Sequence, residues 1–269
     1  MIFFMVRLRN ETLNDLPNSV FAKIRSSDLI NSEPAILVDV GANIGLFTYL
    51  LCTIFPDGLI HSFEPGEEMR TWLTRKKMAC PSPKNVIVHS KAVSDVDGES
   101  VVLYGPSKQK KYTSSNLKPH NTGASISSGV NVRRGSTVIL GKTKTVKLDT
   151  FFRDESNIDF IKIDAEGLDP LIINGLEQIL QQNIVKIIYW EFGNHWKAAS
   201  NHSLAGVVKK LEKFSYISYV VGFNKTVKIS GNCLDVGILD NIFRTINVLS
   251  ILKGSIYENV PNIILNGKV

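Results

Sequence analysis

Acids, glycines and one histidine stand at the few places in this chain where chemistry is expected. Asp39-Val40-Gly41-Ala42-Asn43-Ile44-Gly45 follows an apolar run and opens an apolar helix pattern. Glu64 stands 23 residues after Gly41, Ser94 and Asp95 follow a third apolar run, and Asp164-Ala165-Glu166-Gly167 follows a fourth. Glu191 ends a fifth, with His195 just beyond it. Gly41 allows a sharp turn out of a strand. Gly45 leaves the backbone open where a helix begins and its first N–H groups lack partners. An acid at the spacing of Glu64 accepts hydrogen bonds from the two hydroxyls of a ribose. Strand, G-x-N-x-G, helix and spaced acid together predict a nucleoside site.

The loop also narrows the nucleoside. A dinucleotide loop, GxGxxG, needs glycine where this chain has Asn43 and Leu46, because pyrophosphate approaches the backbone closely. A nicotinamide oxidoreductase is therefore disfavoured. S-adenosyl-L-methionine carries a carboxylate, an ammonium, a sulfonium and adenosine but no phosphate, and suits a loop with an Asx group and a nearby carboxylate.

The elements that position these residues follow from periodicity. Ile36–Val40, 59–63, 85–93, 160–163 and 185–192 read as buried strands, short and rich in β-branched residues. Helices are expected over 44–55, 67–79, from Pro170 to about 180, and over 204–214, with Asp169 as the cap before Pro170 at the first helical position. Asp97-Gly98 is expected to turn residues 100–104 back as a hairpin, and 138–140 and 145–148 to form short strands. Residues 216–221 and 248–252 read as late strands. Strands alternating with helices predict a mainly parallel, seven-stranded α/β sheet with helices on both faces, and ligands in such sheets bind beyond the carboxyl ends of the strands.

The organisation expected is an N-terminal arm over 1–34, a domain over 35–255 with a polar insertion at about 105–145, and a C-terminal tail over 256–269. The insertion carries Lys108, Lys110, Lys111, Lys118, Arg133, Arg134, Lys142 and Lys144, and reads equally as a lid or a solvated loop. With 43% apolar and 21% charged residues the chain supports a sizeable core. A net charge of +6 reads as a slightly basic surface rather than a binding field. Three cysteines without a CxxC pattern exclude a disulfide framework or zinc knuckle and point to a reducing, cytoplasmic location. The apolar run at the N-terminus is ended by Arg7 and lacks the order of a signal peptide, and no stretch approaches the roughly 20 apolar residues of a membrane span. The glycosylation sequons at Asn10, Asn201 and Asn224 then read as chance matches.

The segments VDVGANIGLFTYL, HSFEP, KAVSD, VKLDTF, IDFIKIDAEGLDPLIINGLEQIL and IIYWEF occur in that order between Ile36 and Phe192 and resemble the FkbM family of methyltransferases. The resemblance implies a Rossmann-like class I methyltransferase fold and transfer of a methyl group from S-adenosyl-L-methionine, usually to an oxygen of a sugar, glycan or natural product. It implies Asp39, Gly41, Ala42, Asn43 and Gly45 as the cofactor loop, Glu64 as the ribose acid, and Ser94 and Asp95 beside the adenine. Asp164, Glu166 and Gly167 match the family's D-x-E-G signature, while Asp169 stands where the family often has glutamate. Asn121-Thr122-Gly123-Ala124-Ser125 resembles a polar turn of the family and is expected near the acceptor.

Methyl transfer to a hydroxyl needs alignment and removal of the acceptor proton. Asp164, Glu166, Glu191 and His195 are the candidate catalytic residues, with His195 as general base because its ordinary pKa lies near neutrality. His120 is a second, weaker base. A Mg2+ held by Asp164, Glu166, Asp169 and Glu191 is the less favoured alternative. A nucleic-acid methyltransferase is disfavoured because no aromatic and basic platform for bases is visible. A non-catalytic cofactor-binding protein of the same fold is the other rival. The sequence leaves the oligomeric state open.

Overall fold

A computed structural model describes residues 35–106, 125–126, 137–193, 202–221, 226–231 and 245–261. The apolar run ILVDV forms β1 (Ile36–Val40), and α1 (Leu46–Ile54) leaves it through the glycine loop. β2 (Leu59–Phe63), α2 (Glu67–Lys77) and β3 (Val86–His89) complete the first parallel half. A short β4 (Ala92–Val93), β5 (Ser100–Pro106), β6 (Thr137–Val146) and the single turn α3 (Leu148–Phe151) follow. β7 (Ile158–Ile163), α4 (Asp169–Asn174), α5 (Glu177–Gln181) and β8 (Val185–Gly193) form the second half. α6 (Leu204–Lys213), β9 (Tyr216–Val221), β10 (Thr226–Lys228) and β11 (Thr245–Leu252) close it.

The main sheet has the order β10-β9-β11-β8-β7-β1-β2-β3, and β4-β6-β5 form a second sheet. β3, β2, β1, β7 and β8 run parallel, whereas β11 is antiparallel to both β8 and β9. The chain moves outward from β1 in one direction through β2 and in the other through β7, so β1 lies at the switch point where such sheets bind ligands.

Alternate residues of each strand bury on opposite faces. Val38, Ile161, Ile188 and Trp190 pack with Ile172, Leu180 and Leu204 from α4, α5 and α6. Leu37, Phe160, Ile187 and Tyr189 pack with Leu51 and Ile54 of α1 on the other face. Tyr257 and Val260 join that second layer, so packed structure continues past residue 255. No helix among the described residues is long and apolar enough to cross a membrane.

Several expectations are corrected here. The main sheet has eight strands rather than seven, because the three residues of β10, too few to show a period, add to β9. Residues 85–93 do not form one strand: β4 leaves the main sheet and pairs with β6. β5 does not turn back at Asp97-Gly98. It pairs across the insertion with β6, from Ser100 opposite Lys144 to Pro106 opposite Thr137, and the two short strands expected near 138–148 are this one strand. The helix expected after Asp169 breaks at Gly175-Leu176. Asp169 is its first residue rather than its cap, and its carboxylate accepts from the Gly167 amide at 3.3 Å. The Asp149 carboxylate caps α5 instead, accepting from the Gln178 and Ile179 amides, each at 3.0 Å.

The expectation of three free thiols also fails. Cys52 on α1 and Cys80 beyond α2 form a disulfide, with Cα atoms 5.7 Å apart and a sequence separation of 28. Two cysteines so far apart carry no sequence mark of pairing; only the packing of α1 beside α2 brings them within reach. Disulfides persist in oxidising compartments, so the bridge weighs against the reducing location inferred from the odd count. Closing a loop of this length stabilises the fold by about 3–4 kcal/mol in the chain-entropy account. Thiol titration of the unfolded, unreduced protein should therefore find one free thiol, rising to three after reduction. Denaturant unfolding with a reductant should lose about 2–4 kcal/mol. Three thiols before reduction would refute the bridge.

Candidate active site

The bend after β1 is held by its neighbours. The Gly41 and Ala42 amides both donate to the Phe63 carbonyl at 3.0 Å, tying the loop to the end of β2. Gly41 has φ +70°, and a Cβ there would lie 2.0 Å from the Asp164 carbonyl oxygen, so only glycine fits. Asn43 also takes a left-handed conformation, φ 51°, which asparagine tolerates better than most residues. Its amide donates to the Glu64 Oε2 at 2.9 Å. Gly45 plays a different part from the one expected: a Cβ there would meet the Leu73 side chain of α2 at 2.6 Å. It permits α1 and α2 to pack closely, and it does not line the pocket.

Glu64 is buried at the end of β2. Its Oε1 accepts from the Gly66 amide at 2.7 Å, while Arg70 donates to the Glu64 carbonyl at 3.1 Å and to that of Pro65. Burial pushes the Glu64 carboxyl above the usual carboxylate range, against the pull of the two amides.

The loop, Glu64 and the end of β7 surround one pocket. Gly41, Asn43, Phe63, Glu64, Asp164 and Glu166 line it. Met69, Ala92, Val93 and Leu103 supply a separate apolar wall, and Lys91 and Ser125 reach the same space. Ser125 is fixed there by a two-way backbone bridge to Tyr104, with hydrogen bonds of 2.8 and 2.9 Å. The remainder of the 121–125 turn lies outside the described residues, as do His195 and His120.

Beneath the bend is a buried cation. Lys162 of β7 places its Nζ 3.3 Å from Asp39 Oδ1 and 3.5 Å from Asp164 Oδ2. The same nitrogen donates to the carbonyls of Val40 and Gly41 at 3.4 and 3.2 Å. Burial opposes its charge, but Asp39 and Asp164 outweigh it and raise the ammonium's pKa. Asp39 is wholly buried and gives its other oxygen to the Thr48 hydroxyl at 2.7 Å, so it holds the loop from below rather than facing the pocket. Asp164 keeps 43% of its side chain exposed. Asp169 and Glu191 lie behind it. Burial, then the Asp164 charge, pushes Asp169 up to about 7. Burial, then Asp164, Asp169 and Glu166, raises Glu191 well above the carboxylate range. Among the described residues, no three His, Cys, Asp or Glu side chains are arranged to hold a metal ion.

Of the residues singled out from the sequence, Gly41, Asn43, Glu64, Asp164 and Glu166 converge on the pocket. Asp39, Ala42, Gly45, Ser94, Asp95 and Glu191 do not line it. Ala42 is buried, and the Ser94 hydroxyl turns to the Asp95 carboxylate at 3.1 Å. Sequence reasoning missed Lys162, Lys91, Met69 and Leu103. The signal for Lys162 was present: a lysine between Ile161 and Ile163 in an otherwise apolar strand needs a buried counter-charge.

The raised Asp169 pKa has a consequence for stability. Between an unfolded value near 4 and the folded value of about 7, the native state binds the extra proton, so stability falls as pH rises through that window. Asp169→Asn removes the ionisation. Denaturant unfolding should find the variant more stable than the parent at pH 8, on the order of 2 kcal/mol, with the gap closing toward pH 4. Parallel pH profiles of the two proteins would refute this.

The profile described as Methyltransferase FkbM domain matches residues 39–218. No curated protein matches the chain. Among solved structures, the O-methyltransferase TomG from Streptomyces achromogenes, in complex with SAM, aligns over 92% of this chain and 82% of its own, with 10% identity and a TM-score of 0.42. The human methyltransferase 10 domain containing protein aligns over 90% and 82%, with 8% identity and a TM-score of 0.44. A precorrin-6y C5,15-methyltransferase from Geobacter metallireducens GS-15 aligns over 86% and 85%, with 12% identity and a TM-score of 0.40. At scores this low the assignment stands on the profile match and the strand order rather than on these likenesses. With two thirds of its length covered by that profile, and a mostly parallel Rossmann-like sheet that switches direction at β1, the chain belongs to the FkbM family of methyltransferases.

Proposed function

We propose that this protein transfers a methyl group from S-adenosyl-L-methionine to a hydroxyl oxygen of a sugar, glycan or natural product. One observation carries the reading: two carboxylates of different character share a pocket at the switch point, Glu64 buried on β2 and Asp164 partly exposed beyond β7.

The residues present fit such a donor. Each Glu64 oxygen gives one lone pair to an amide and keeps another, enough to accept from a ribose diol. Phe63, Met69, Ala92, Val93 and Leu103 offer an apolar slot for a flat base, with Ser94 and Asp95 next in the chain. Asp164 offers negative charge to the ammonium and sulfonium, and the Gly41 bend leaves space for the amino-acid part. When bound, the donor supplies an electrophilic methyl group. Glu166 lines the pocket with Asp164, and its backbone takes a left-handed conformation with φ 52°. In the proposed reaction the acceptor hydroxyl lies on this side, and His195, beyond β8, takes its proton. Burial and the charges of Asp164, Asp169 and Glu166 raise the pKa of Glu191.

The test is transfer of label from methyl-labelled S-adenosyl-L-methionine to fractionated glycans, small glycosides and RNA. Label in a base-stable ether of a sugar or natural product supports the reading. Label in RNA, or on nitrogen, overturns the acceptor class. Glu64→Gln should weaken donor binding by about 1–3 kcal/mol in calorimetry, since a carboxylate that accepts from hydroxyls and amides becomes an amide. Unchanged affinity would remove Glu64 from the donor site.

A further inference from the structure

Lys162 is the buried ionisable side chain of the site to which neither the family match nor the proposed reaction gives a task. It lies on β7 with its ammonium under the Gly41 bend, 7% exposed, and its ring neighbour is Phe47, whose centroid is 5.5 Å from Nζ. Four oxygens surround that nitrogen within 3.5 Å: one from each of Asp39 and Asp164, and the carbonyls of Val40 and Gly41. They belong to two strand tips, those of β1 and β7. The ammonium therefore fixes the Gly41 carbonyl downward, away from the pocket, and fixes one Asp164 oxygen relative to the bend.

We propose that Lys162 is the positioning residue of the donor site, acting through the Gly41 bend and the Asp164 carboxylate rather than by touching the donor. The inference rests on the proposed use of S-adenosyl-L-methionine. An uncompensated cation here would repel a sulfonium, but Asp39, wholly buried, neutralises it and leaves the Asp164 charge to face the pocket. A neutral side chain of the same length lacks both effects. The Gly41 carbonyl loses the ammonium, the Val40 carbonyl keeps the Asp164 amide but loses the ammonium, and the carboxylates gathered here lose the cation that offsets them.

The groups whose charges meet Lys162 are Asp39 on β1, Glu64 on β2, Asp164 after β7, Asp169 on α4 and Glu191 on β8. All are acids, so removing the Lys162 ammonium favours protonation of the set at higher pH, while Glu64 keeps Arg70 beside it. The prediction has a readout that mere loss of packing would not give. Calorimetry with S-adenosyl-L-methionine on the full chain should show Lys162→Met weakening donor affinity by on the order of tenfold to a hundredfold, as for lost charge-assisted hydrogen bonds. The deficit relative to the parent, measured at each pH, should grow as pH falls from 8 to 6. Lys162→Arg, which keeps the charge, should restore the parent's pH profile. If Lys162→Met loses its native circular dichroism, the double variant Lys162→Met with Asp39→Asn leaves no uncompensated charge and is read for affinity alone: the Val40 and Gly41 carbonyls still lack the ammonium, so donor affinity should still fall about tenfold, and affinity within twofold of the parent overturns the inference. Donor affinity within twofold of the parent at every pH from 8 to 6, in a folded variant, overturns the inference while leaving the proposed function intact. No donor binding by the parent itself overturns both.

Discussion

The site depends on a contact with no room in it. The bend after β1 runs against the chain leaving β7 so closely that a methyl group on Gly41 would overlap the Asp164 carbonyl. Main-chain hydrogen bonds hold the approach on both sides: Gly41 and Ala42 to Phe63, and the Asp164 amide to Val40 at 3.2 Å. Three strand tips are thereby locked into one unit, and the acids at their ends, Glu64 and Asp164, are set at fixed places around the same space. A side chain at position 41 would part β1 from β7 and separate the two carboxylates. The glycine is thus a requirement of tertiary packing first and of ligand access second.

That unit gathers features that cost stability elsewhere in a protein. Asp39, Asp169 and Lys162 are buried, Glu191 carries a strongly raised pKa, and Glu166 and Asn43 take left-handed backbone. Burying acids near one another is unfavourable unless a cation offsets them, and here a single ammonium serves several. Local violations of burial and backbone rules concentrate where a fold does its work. The surrounding sheet supplies what is needed to sustain them: β7 and β8 are apolar on both faces, and the Trp190 indole finds its partner in Ser250 at 3.0 Å.

The parallel half of the sheet was legible because its strands are short, β-branched and bounded by turn residues, and the acids at their ends follow directly. Other features depend on contacts that no local pattern encodes. β5 finds β6 across the whole insertion, so its register is a long-range fact. Gly45 reads the same in sequence whether a ligand or Leu73 occupies the space beside it. Asp39 and Glu64 look alike as acids at strand ends, yet one faces Lys162 below the loop and the other lines the pocket. The difference lies in position along the strand: Asp39 is the fourth residue of β1, inside the strand, whereas Glu64 lies one past the end of β2.

The two sides of the pocket are built differently. On the donor side, β1, α1, β2 and α2 are joined by the Gly45–Leu73 contact, the Asn43–Glu64 hydrogen bond and the Cys52–Cys80 bridge, so loop, helices and strand ends form one braced body. On the other side Lys91, between two strands, and Ser125 and Ile126, in the insertion, line the pocket from segments that connect elements rather than belong to them. Connecting segments tolerate insertion and exchange far better than packed elements do. A methyltransferase built this way keeps one rigid seat for a common donor and leaves the choice of acceptor to segments that vary without disturbing it. On the proposed reading, acceptor choice falls to the insertion that carries Ser125, and donor affinity to Gly41, Asn43 and Glu64 and to Asp164 at the end of β7.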